Sequence, residues 1–89
     1  MTNDALYQKA LRRLGITERE LLGHRRSQHL VDARCLVAAA LMHQPLMRQQ
    51  DVAAILGISQ AAVSHLLARH RDLLEVDTNY QRKYELIVD

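Results

Sequence analysis

The stretch QDVAAILGISQAAVSHLL, residues Gln50–Leu67, decides the fold. In its first half Val52, Ala53, Ile55 and Leu56 recur at helical spacing. Gly57-Ile58-Ser59 follows as a tight turn, and a second helix begins at Gln60 with Ser59 as its N-cap. Ala53 is small enough for two helices to approach closely. Gly57, four residues later, makes the turn, and Val63 and Leu66 pack back on the first helix. This is the grammar of a helix-turn-helix, expected over about residues 48–71. Stepping about 100° per residue from Gln60 puts Val63, Leu66, His70 and Leu74 on one side. Ala61, Ser64, His65, Ala68 and Arg69 fall on the other. That outer face is small and polar at its N-terminal end, a shape that fits a major groove about 12 Å wide. Ser59 and Gln60 sit where the helix dipole and free amides favour phosphates and base edges. Plain helical hairpins also use glycine turns, but all five of Ala53, Gly57, Ser59, Val63 and Leu66 at these offsets are much rarer.

Outward from this motif the whole chain reads as helices. The fourth helix is expected over Arg48–Leu56 and the fifth from Gln60 to about Leu74. A sixth spans Thr78–Val88, with Thr78 and Gln81 spaced as a capping box and Tyr80, Tyr84 and Ile87 on one face. Upstream, Leu6, Tyr7, Ala10, Leu11 and Leu14 mark a first helix over 3–14, closed by Gly15. Thr17–Leu22 is a short second helix with a Thr17–Glu20 capping box, ended by Gly23. His24–His29 is a polar loop and the most basic short stretch of the chain. Leu30–His43 is a third helix, apolar on most sides, as the buried centre of a bundle would be. Pro45 breaks it. The expected fold is all-α: one domain over residues 1–89, a small bundle of about six helices.

Composition agrees. Three glycines, one proline and no Phe or Trp in 89 residues favour helices with aliphatic cores. So short a chain buries only about 60–65% of its unfolded surface and has no room for a nucleotide-hydrolysing domain or a barrel enzyme. No apolar run approaches the ~18–20 residues of a membrane helix. Residues 1–14 alternate polar and apolar, unlike a signal peptide. A single cysteine, Cys35, excludes an internal disulfide and a Cys-rich zinc module, and fits a reducing cytoplasm. The net charge is only +2, but residues 1–71 carry +5 and residues 72–89 carry −3. Ten of the twelve basic residues are Arg, which suits bidentate phosphate and base contacts. Genomic base composition would give the same bias.

At this point the chain resembles a known family, the C-terminal DNA-binding domain of the bacterial replication initiator DnaA, in the Trp-repressor-like group. The resemblance covers roughly Leu6–Ile87. It rests on Leu21-Leu22 ending a short helix, the basic loop Arg25-Arg26-Ser27, the helix start from Leu30 through Arg34, and the stretch Gly57–Leu67, where Val63 and His65 match. The family's Asp-His-Thr base-reading triplet falls on Ser59, Gln60 and Ala61, and none of it is retained. The family's origin-box preference is therefore not expected here. Nor is a full initiator, since the chain carries no ATPase module. The resemblance suggests a standalone or mobile-element version, bacterial, cytoplasmic and nucleoid-associated, with double-stranded DNA as partner. Monomer is the working expectation, and no membrane, cofactor or metal is implied.

The candidate base-reading residues are Ser59, Gln60, Ala61, Ser64 and His65. Gln60 is the best reader, because its amide suits adenine. His65 either contacts DNA or is simply an exposed histidine. By the resemblance, Arg25 or Arg26, beside Ser27, would reach the minor groove or backbone; the alternative is a solvated loop. Arg34 would touch phosphate from the start of the third helix, or pair with Asp32 or Asp51. Arg48, Arg69 and Arg71 are further phosphate candidates. An enzyme is not expected. There is no HExxH, cysteine pair or glycine-rich phosphate loop, and Cys35 lies in the apolar helix, where a thiol packs rather than reacts. The competing class is a protein-interaction module using the Tyr80/Tyr84 stripe, unless that stripe is the core face of its helix.

Overall fold

The computed structural model describes residues 4–89, and these form six helices and no strand. They are α1 (Ala5–Leu14), α2 (Glu18–Leu22), α3 (Gln28–Met42), α4 (Gln49–Leu56), α5 (Gln60–Val76) and α6 (Thr78–Val88). The all-α bundle expected from the sequence is what is found.

The helix ends follow local chemistry. The Asp4 side chain caps α1 by accepting from the Tyr7 amide at 2.9 Å. Of the first turn expected there, Asn3 lies outside the described residues. At α2 the capping box is complete. Thr17 Oγ1 accepts from the Glu20 amide, and Glu20 Oε1 accepts from the Thr17 amide, each at 3.1 Å. α3 begins two residues earlier than the apolar pattern indicated, with Ser27 as N-cap, so the basic loop is shorter than His24–His29. Gln28 gains a local reason to be helical: its amide donates to Asp32 one turn on, at 2.8 Å. Arg48 is the N-cap of α4 rather than its first residue. Its backbone amide donates to Asp51 Oδ2 at 2.9 Å, and its guanidinium has no acceptor to return the bond. α5 runs two residues past Leu74, to Val76. The expected Thr78–Gln81 capping box is absent. Asp77 caps α6 instead, accepting from the Tyr80 amide at 3.0 Å, and Gln81 donates its side-chain amide back to the Leu74 carbonyl.

α3 packs against all five other helices. Nine of its residues are buried, including Leu36, Val37 and Leu41 with no exposed surface, and the run Ala38-Ala39-Ala40 keeps it slim enough to be surrounded. α1 and α6 pack on each other and on α3, while α4 and α5 cover it elsewhere. One core cluster draws side chains from all six helices, among them Tyr7, Leu21, Leu36, Val52, Val63 and Ile87. Fully burying each aliphatic side chain of this kind contributes about 2 kcal/mol. Cys35 is one of the core residues, fully buried, and burial pushes its thiol up to about 11. The thiol is therefore protonated near neutral pH, a packing group as the sequence suggested.

Candidate nucleic-acid interface

α4 and α5 meet at 101°, within the range of a helix-turn-helix corner. Gly57 makes the corner with φ +67°, the left-handed region that glycine enters without a Cβ penalty. Its amide and that of Ile58 both donate to the Ala53 carbonyl, the latter at 3.0 Å. Ser59 then caps α5, accepting from the Ala62 amide at 3.1 Å.

The two faces of α5 separate as its period requires. Val63 and His70 are buried, and Leu66 and Leu74 half-buried, against the bundle. Ser59, Gln60, Ala61, Ser64, His65 and Arg69 are all exposed, while Ala68 is half-buried at the edge. The five candidate base-reading residues therefore share one open surface at the N-terminal end of α5. Ser64 is tied across the corner: its hydroxyl donates to Gln49 Oε1 at 2.8 Å. This bond fixes the start of α4 to the outer face of α5 and adds Gln49 to the site. The sequence offered no periodic signal for that residue.

The basic loop stands beside the same surface. Leu21 of α2, with Gly23 and His24 from the α2–α3 connection, faces Leu56, Gly57, Ile58 and Leu66 across a cleft of about 120 Å³. Arg26 and Leu66 line an adjoining depression. Arg25, Arg26 and Ser27 are exposed, and among the described residues no ion pair engages either arginine. Ser27 leaves the α3 N-terminus without a side-chain cap bond.

What holds the loop there is Arg34. Its Nε donates to the Leu21 carbonyl at 2.8 Å, Nη1 to Arg25 at 2.9 Å, and Nη2 to Gly23 at 2.8 Å and more weakly to Glu20 at 3.5 Å. The guanidinium thus satisfies carbonyls that the short helix α2 leaves orphaned at its C-terminus. This corrects the ion-pair reading of Arg34 and gives the guanidinium acceptors inside the protein. It has no ion pair with Asp32 or Asp51 among the described residues, and its donors are turned inward to the loop backbone. The signal was an Arg in a helix otherwise apolar nearly all round, which must find acceptors.

Arg48 is exposed at the start of α4, with Nε 3.9 Å from Asp51 Oδ2, a loose surface pair. Arg71 is exposed as well. Arg69 lies nine residues beyond Gln60 on α5, about 14 Å along the axis. Among the described residues, no three His, Cys, Asp or Glu side chains gather where they could hold a metal ion. No single helix there is long and apolar enough to cross a membrane.

α5 is braced from behind by α6. His70 Nδ1 and the Tyr80 hydroxyl are hydrogen-bonded at 2.7 Å, and Tyr84 meets the His70 ring edge-on at 4.6 Å between centroids. Tyr80 is buried and Tyr84 half-buried, so the tyrosine stripe is the core face of α6. Burial, with the Arg71 charge beside it, holds the His70 imidazole below its ordinary value, and burial holds the Tyr80 phenol above its own. The folded state therefore prefers neutral His70. Stability is fully present above the unfolded imidazole value of about 6.5 and falls as pH drops from there through the lower folded value. We expect the urea midpoint to decline below that pH in the wild type. The decline should be smaller in His70→Gln, and an equal decline in both proteins would remove His70 as its source.

Compared with protein-family models, curated proteins and solved structures, the chain matches none of them.

Proposed function

We propose that this chain binds double-stranded DNA, with α5 in the major groove and the Arg25-Arg26-Ser27 loop on the backbone or in the minor groove. The observation that carries this reading is one surface. The exposed face of α5, set at 101° to α4, stands beside an exposed basic loop whose backbone is clamped by Arg34. The charge distribution adds support, since residues 1–71 carry +5. The resemblance to the DnaA C-terminal domain points to a bacterial, cytoplasmic protein that controls replication, transcription or a mobile element.

The test is fluorescence anisotropy with two duplexes, one bearing an initiator-family box and one scrambled, at low and moderate salt. Binding should weaken steeply with salt as counterions are released. It should differ little between the two duplexes, because Ser59, Gln60 and Ala61 replace the family's triplet. Absence of binding to either at low salt would overturn the reading.

A further inference from the structure

A helix seated in the major groove still has to choose its bases, and the exposed chemistry of α5 narrows that choice. Guanine is read most often by Arg or Lys forked to O6 and N7, and cytosine by a carboxylate accepting from N4. Between Ser59 and Ala68 the chain has no Arg, Lys, Asp or Glu. The first cation after that stretch is Arg69, about 14 Å along the helix from Gln60. At about 100° per residue Arg69 also lies about 180° round the helix from Gln60, so the two side chains leave α5 in opposite directions.

What the N-terminal turns do present is an exposed primary amide on Gln60 and an exposed methyl on Ala61. A carboxamide donates to adenine N7 and accepts from N6, and a methyl packs against the thymine C5-methyl. The remaining polar groups do not counter this. The Ser64 proton is committed to Gln49 at 2.8 Å, leaving lone pairs that accept equally from adenine N6 and cytosine N4. One ring N–H of His65 fits the N7 that both purines share. The clamped loop works in the same direction, because arginine entering a minor groove favours the narrow, strongly negative groove of A·T tracts.

We propose that this surface selects A·T base pairs, with Gln60 reading adenine and Ala61 reading the thymine methyl. The proposal rests on the duplex-binding reading above. Its test uses duplexes of equal length: one of A·T pairs only, one of G·C pairs only, and two modified A·T duplexes. One of these has uracil for thymine and the other 7-deazaadenine for adenine. The wild type should favour the A·T duplex over the G·C duplex by about tenfold. It should lose about fourfold on the uracil duplex, the value of one buried methyl. Ala61→Gly should bind the thymine and uracil duplexes alike, and Gln60→Ala should lose less than the wild type does on 7-deazaadenine, with the remaining loss removed when His65→Ala is added. Equal binding to A·T and G·C, or a wild type indifferent to uracil, would overturn the base assignment while leaving DNA binding intact. Failure of the wild type to bind any duplex at low salt would overturn both.

Discussion

Arg34→Ala should lower the stability of the free protein by about 3 kcal/mol, within the range for losing hydrogen bonds to a charged group. For a domain this size that is a fall in melting temperature on the order of 15 °C. Three short bonds join the guanidinium to the Leu21, Gly23 and Arg25 carbonyls. Their loss does not add up in full, because the side chain is only partly buried and water reaches some of the freed carbonyls. Arg34→Lys should recover little, since one ammonium cannot span three carbonyls in the plane of a guanidinium fork. The measurement is thermal unfolding without DNA. Unchanged melting in Arg34→Ala would mean that the clamp contributes nothing and would return Arg34 to the role of a phosphate contact.

Arg34 also shows where sequence reading ends. Its position in the chain was plain, and so was the basic loop. The fact that α2 stops at Leu22 with its carbonyls facing α3 is tertiary, and no period encodes it. The corner between α4 and α5 was legible because each part is local: Gly57 for the left-handed turn, Ser59 for the cap, and Val63 for the inward face. Helix α3 was legible as the centre because it is apolar nearly all round, and it does contact every other helix. Its start was misplaced because Gln28 and His29 are polar and exposed, and their helicity comes from the Ser27 boundary and the Gln28–Asp32 bond. Thr-x-x-Gln from Thr78 to Gln81 fits a capping box by spacing alone. Asp77, one residue earlier, has the stronger acceptor, which frees Gln81 to tie α6 back to α5. The helical angle puts His70 on the inward side, but only the fold brings Tyr80 to it. Gln49 is the clearest omission, since its bond to Ser64 joins two helices across 15 residues.

The complementary experiment leaves the clamp alone and removes the charges it displays. Arg25→Ala with Arg26→Ala should weaken duplex binding by about a hundredfold at low salt, taking each arginine as one charge-assisted contact worth about tenfold. The slope of log affinity against log salt should become shallower by about 1.8, because each lost phosphate contact removes about 0.9. The loss should be the same on every duplex sequence if the loop grips phosphate, and larger on A·T tracts if it enters the minor groove. Melting should not change. Both side chains are exposed, and the bond from Arg34 goes to the Arg25 backbone carbonyl, which alanine keeps. This separates the two arginine roles within one loop. Arg34→Ala should lose stability first, and affinity only because the loop is released. The double variant should lose affinity and salt dependence with stability intact. A double variant that binds with wild-type affinity and an unchanged salt slope would show that the loop does not touch DNA. The docking geometry would then be wrong even if α5 still enters the groove.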